Sequence, residues 1–127
     1  MTDRLWIAAK APRPGLAKTR LAAGVGAAGA LALYRGFIAD LAARFADAPF
    51  PVGWYVTPPD AWAELRALVP PCGPPPLVLA QPSGDWTARQ QALFRSAPGR
   101  GELRTVLIAS DSPHLEVRIV EAALEAL

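Results

Sequence analysis

The sequence holds one cysteine, one histidine and one methionine in 127 residues. The lone thiol, Cys72, excludes a disulfide framework and suggests a reducing compartment, here the cytoplasm. It sits among prolines without a basic neighbour and reads as unreactive. The lone imidazole, His114, leaves no His/Cys cluster for zinc. A Ser-His-Asp hydrolase has little support either, since no nucleophile-elbow motif accompanies it. No window reaches the roughly 18 uninterrupted apolar residues of a membrane helix. Only Leu5 to Ala9 are apolar before Lys10, too short a run for a signal peptide. The net charge, +2, is too small to argue for a nucleic-acid partner. Acids are also missing locally: residues 4 to 39 carry six bases and none, whereas residues 101 to 127 carry five acids and two bases. One end is suited to anions and the other can offer carboxylates to a cation.

What is present is a chain of one domain's length, with enough apolar content, 52%, to exclude disorder. Its 14 prolines stiffen loops between strand-like and helix-like runs. Leu5 to Ala9 predicts a buried strand. Leu31, Tyr34, Ile38, Leu41 and Phe45 mark one face of a helix over 27–46. Val52 to Thr57 predicts a second strand, and Trp62, Leu65 and Val69 the apolar side of a short helix. Pro70 to Pro76 can form neither helix nor central strand. Leu77 to Ala80 and Leu103 to Ala109 predict strands three and four, with helices around 86–97 and 115–127. Strands alternating with helices imply an α/β fold: a Rossmann-like three-layer sandwich on a mainly parallel sheet in the order 3-2-1-4. In that order strands one and four are neighbours, and a crevice opens at their carboxyl ends.

The loop after strand one runs Lys-Ala-Pro-Arg-Pro-Gly-Leu-Ala-Lys-Thr-Arg-Leu from Lys10 to Leu21. Lys10, Arg13, Lys18 and Arg20 make it a candidate phosphate cradle, because Arg offers a planar fork and Lys a mobile point charge. Gly15 would let an oxygen approach the backbone closely. An ATPase P-loop is excluded, since Pro12 and Ala17 stand where that motif needs glycine. The loop after strand four is Ser110-Asp111-Ser112-Pro113. Asp111 can hold Mg²⁺ or Mn²⁺ against a diphosphate, or the segment can simply start a helix. After strand three, Asp85 can meet a ribose hydroxyl, a base edge or a water-held metal, or cap the helix beginning at Trp86. Arg89 can reach a phosphate or pair with Asp85. Core packing is the expected use of Trp6, Trp54, Trp62 and Trp86.

These three segments, Lys10 to Leu21, Gln81 to Arg89 and Ile108 to Pro113, resemble the bacterial glycosyltransferase-A-like transferases, specifically the radical-SAM/selenodomain-associated transferase 1 group. That group is similar to phospholactate and molybdenum-cofactor guanylyltransferases. The resemblance runs along the whole chain in order. It departs after Gly84-Asp85, where the family usually has Leu-Gly and this sequence has Trp86-Thr87. It implies a nucleotide-diphospho-sugar transferase fold, with Lys10, Arg13, Lys18 and Arg20 near the nucleotide phosphates and Asp111 as metal ligand. It also implies longer domains, so residues 1–127 are expected to be the nucleotide-binding half of a truncated fold. The expected ligand is a nucleotide-sugar or a nucleoside triphosphate, with no nucleic acid and no membrane. Alternatives are a nucleotidyltransferase that releases pyrophosphate and a non-catalytic nucleotide-binding or assembly module. An uncovered strand four would favour self-association through that side.

Overall fold

Leu5, Trp6 and Ile7 have no solvent exposure, and Ala8 and Ala9 almost none. Consecutive buried residues mean burial on both faces, as the central strand of a parallel sheet requires. In the computed structural model, which describes residues 2–14, 23–71, 75–111 and 114–127, these residues lie in β1 (Thr2–Lys10). With β2 (Val52–Thr57), β3 (Leu77–Ala80) and β4 (Glu102–Ala109) it forms a four-stranded sheet in the order β3-β2-β1-β4. Every pairing is parallel. The expected order and the α/β class are therefore observed.

Alternation along β1 sends Leu5, Ile7 and Ala9 to one face and Trp6 to the other. The first face is covered by α1 (Ala27–Arg44), α2 (Trp62–Leu65), which tightens into a 3₁₀ turn at Arg66–Leu68, and α4 (Val117–Ala126). Tyr34, Ile38 and Leu41 of α1 and Val120 and Leu124 of α4 pack there. The second face is covered by α3 (Trp86–Ser96), whose Leu93 meets Trp6 and Tyr55. Helices thus lie on both faces, as the three-layer reading requires. No helix among the described residues is long and apolar enough to cross a membrane.

Element ends moved by a few residues. β1 begins at Thr2, earlier than its apolar run, because Asp3 and Arg104 face each other across β1 and β4. Their bidentate ion pair has distances of 2.9 and 2.6 Å. Hydrophobic patterning is blind to such a polar extension.

The second face also buries a charge. The Glu102 carboxylate accepts hydrogen bonds from Trp6 Nε1 at 3.2 Å, Thr105 Oγ1 at 2.7 Å and Arg100 Nε at 2.6 Å. Burial pushes its pKa up, but the bonds from Arg100, Thr105 and Trp6 outweigh burial and hold it below the ordinary value. Arg100 also donates from Nη2 to the carbonyl of Leu93 at 3.0 Å. The cluster therefore ties the end of α3 to the sheet.

Candidate functional site

β1 outlasts β4 by two residues, since the last β1–β4 pair is Ala8 with Ala109. Lys10 therefore carries a backbone N–H and C=O with no strand to meet them on that side. The Tyr34 hydroxyl meets both, accepting from Lys10 N at 2.8 Å and donating to Lys10 O at 2.9 Å. Ser110 Oγ lies 3.4 Å from the Tyr34 hydroxyl oxygen. One hydroxyl has one proton and two lone pairs. With its proton on Lys10 O, Tyr34 has a lone pair left for the Ser110 hydroxyl. Burial raises the Tyr34 pKa, the bonds to Ser110 and Lys10 offset part of that, and the Asp111 carboxylate adds to the rise. The phenol is therefore a neutral brace between the ends of β1 and β4.

Above this brace lies a cavity of about 490 Å³. Lys10, Thr57, Gln81, Arg89 and Asp111 reach it from the ends of all four strands and from α3, and Tyr34, Gly84 and Trp86 line it as well. It is the crevice that the strand order implies. A larger cavity, about 730 Å³, lies at the opposite end of the sheet among Phe45, Phe50 and Pro76. Arg4 is its one charged side chain among the described residues, so it brings together no chemistry.

The structure brings Lys10, Arg89 and Asp111 to one cavity. Arg89 donates from Nη1 to Gln81 Oε1 at 3.3 Å, while its Nε is buried with no hydrogen-bond partner among the described residues. A buried guanidinium nitrogen in that state favours an anionic acceptor. Gln81 is held in turn by its donation from Nε2 to Tyr55 O at 2.8 Å. Asp111 is exposed and makes no ion pair among the described residues.

Two candidates stand elsewhere. Arg13 turns away from the cavity to Glu64 and Asp60, donating from Nε to Glu64 Oε1 at 2.6 Å and pairing with Asp60 at 3.1 Å. Asp85 caps α3 by accepting from Ala88 N at 2.8 Å and does not line the cavity. It is preceded by Gly84 at φ 119°, a turn conformation that side chains rarely adopt. Gly15, Lys18 and Arg20 lie outside the described residues, as do Cys72, Ser112 and Pro113.

Sequence reasoning missed Tyr34, Gln81, Ser110 and Trp86. Tyr34 read as one more member of an apolar helix face; the polar tip in that stripe was the available signal. Trp86 was assigned to core packing, yet it is 42% exposed and lines the cavity. Trp6 and Trp54 are in the core as expected, at 0% and 2%. Replacing Tyr34 with phenylalanine is expected to cost about 2 kcal/mol, because the buried Lys10 groups lose their partner. Urea denaturation measures this, and an unchanged midpoint would show that water replaces the hydroxyl.

No family model matches the chain, and no curated protein matches it. Among solved structures it is similar to a "putative nucleotide-diphospho-sugar transferase" from Desulfovibrio desulfuricans G20, with 30% identity and a TM-score of 0.85. The similarity covers 98% of this chain and 54% of that one. The chain thus has a nucleotide-diphospho-sugar transferase fold and spans about half the length of that structure.

Proposed function

We propose that the crevice binds the diphosphate of a nucleotide-sugar, and that the chain is the donor-binding part of a nucleotide-diphospho-sugar transferase. The observation carrying this reading is the meeting of Lys10, Arg89 and Asp111 at the carboxyl ends of the strands. The similarity to the Desulfovibrio structure supports it. Lys10 supplies a mobile positive charge and Arg89 a planar fork whose Nε is without a hydrogen-bond partner among the described residues. Lys18, Arg20 and Gly15 of the same loop are proposed to complete the phosphate cradle.

Mg²⁺ and Mn²⁺ fit the oxygen donors at this place. Such ions are commonly held by one or two carboxylates together with substrate phosphates. Asp111 offers one carboxylate that makes no ion pair among the described residues, although no three His, Cys, Asp or Glu residues cluster among them. When bound, the ion would neutralise charge on the diphosphate. Lys10 and Arg89 would orient the donor and stabilise the same charge as it becomes a leaving group.

The test is thermal unfolding with nucleotide-sugars, with and without Mn²⁺. A ligand at a hundred times its dissociation constant adds about 2.7 kcal/mol of stability. Asp111→Asn is expected to remove the Mn²⁺-dependent part of the shift and to keep the part due to Lys10 and Arg89. No response to any nucleotide would overturn the proposal. Where turnover occurs, nucleoside diphosphate marks glycosyl transfer and pyrophosphate marks nucleotidyl transfer.

A further inference from the structure

Trp86 lies two turns before Leu93 on α3, so both side chains fall on the same helix face. Leu93 is buried against Trp6 and Tyr55 on the sheet. Trp86, about 10 Å nearer the helix start, overhangs the carboxyl ends of the strands. There it lines the cavity with 42% of its surface exposed. The helix is fixed beneath it, because Tyr55 donates its hydroxyl to Arg89 O at 2.7 Å and Asp85 caps the first turn. A large aromatic surface held by a rigid helix start, yet left open, is a stacking platform for a flat ring.

We propose that Trp86 is the platform for the nucleobase. This rests on the reading of the crevice as a nucleotide-sugar diphosphate site. Trp86 opens the helix that follows β3, and Asp111 follows β4; these two strands are the edges of the sheet, three strand spacings or about 14 Å apart. A diphosphate held by Lys10 and Asp111 therefore leaves its base to extend toward β3, where Trp86 and Gln81 lie. Stacking tolerates any base, because each has a π face. Discrimination between bases falls to polar groups such as Gln81, whose amide is already oriented by Tyr55 and Arg89.

The test compares nucleoside diphosphates with inorganic pyrophosphate, both with Mn²⁺, by titration calorimetry and tryptophan fluorescence. Trp6 and Trp54 are fully buried and Trp62 is half-buried, so a fluorescence change on adding nucleotide is assigned by its loss in Trp86→Phe. Trp86→Ala is expected to bind nucleoside diphosphates roughly 10-fold more weakly and pyrophosphate as tightly as before. Trp86→Phe, which keeps a π face, retains most of the affinity. Equal weakening of both ligands would make Trp86 a packing residue and overturn the inference. Unchanged affinity for nucleoside diphosphates would overturn it too. Pyrophosphate binding without nucleotide binding in the unsubstituted chain would overturn the platform and leave the phosphate reading standing. Binding of neither ligand would remove both.

Discussion

Glu102→Ala is expected to destabilise the protein by about 3 kcal/mol and to lower Tm by roughly 10 °C. The Glu102 side chain has no exposure, and that of Arg100 is 14% exposed. Removing the carboxylate takes the acceptor from the Trp6 indole N–H and the balancing charge from the Arg100 guanidinium, which keeps the Leu93 carbonyl but not the anion. Breaking one partner of a buried pair typically costs 3–5 kcal/mol, and the partial wetting of Arg100 places this case at about the lower end. The isosteric Glu102→Gln keeps the volume and an acceptor, so it should cost less and chiefly change the pH response. The Glu102 pKa is lowered in the folded protein from a reference of 4.5. Its stabilising contribution is therefore complete above about pH 4.5 and is lost as pH falls through the lowered value. The native chain should lose stability between neutral pH and pH 3 faster than Glu102→Gln does. Asp3 and Glu116 are shifted in the same direction by Arg104 and Arg118, so both proteins will show some slope. The difference between the slopes isolates Glu102. Equal slopes in urea titrations would show that the cluster does not couple to acid stability.

The outline of the fold was legible because its strands are apolar blocks and its helices carry periodic faces. Val106, Leu107 and Ile108 declare β4, and the regular alternation of elements implies a parallel sheet. Strand order then placed Lys10 and Asp111 at one crevice from about a hundred residues apart. Arg13 was not legible in this way. Its partners, Asp60 and Glu64, belong to the turn and short helix after β2, and only the packing of that helix beside the loop brings them together. Trp86 and Tyr34 were missed for a related reason. Their roles depend on where each strand stops relative to its neighbour, and composition does not record that. The Glu102 cluster needs the register as well: Arg4, Trp6 and Glu102 meet only once β1 and β4 are aligned.

The same dependence on register sets the largest packing effect. In the β1–β2 pairing Trp6 is the partner of Gly53, and a Cβ built on Gly53 would lie 2.5 Å from the Trp6 ring. Real Cβ atoms do not approach that closely, so Gly53→Ala must displace the indole. Trp6 has no exposed surface and its Nε1 donates to Glu102 at 3.2 Å, which leaves it no free direction of movement. Overpacking of this kind costs about 1–3 kcal/mol, and loss of the buried hydrogen bond adds about 1 kcal/mol. Gly53→Ala should therefore cost about 3 kcal/mol. Trp6→Phe alone should also destabilise, because it opens space and removes the donor to Glu102. The double variant should be less destabilised than the sum of the two, since the smaller ring makes room for the methyl. A double-mutant cycle measures this coupling, and strict additivity would show that the indole does not sit over Gly53. The consequence reaches the crevice through α3, because Trp6, Tyr55 and Leu93 form one cluster. A displaced Trp6 unseats Leu93, and with it the helix that presents Trp86 and Arg89. On the proposed reading of the crevice, Gly53→Ala should thus weaken nucleotide binding without touching the cavity, and the Trp6→Phe background should restore part of that affinity.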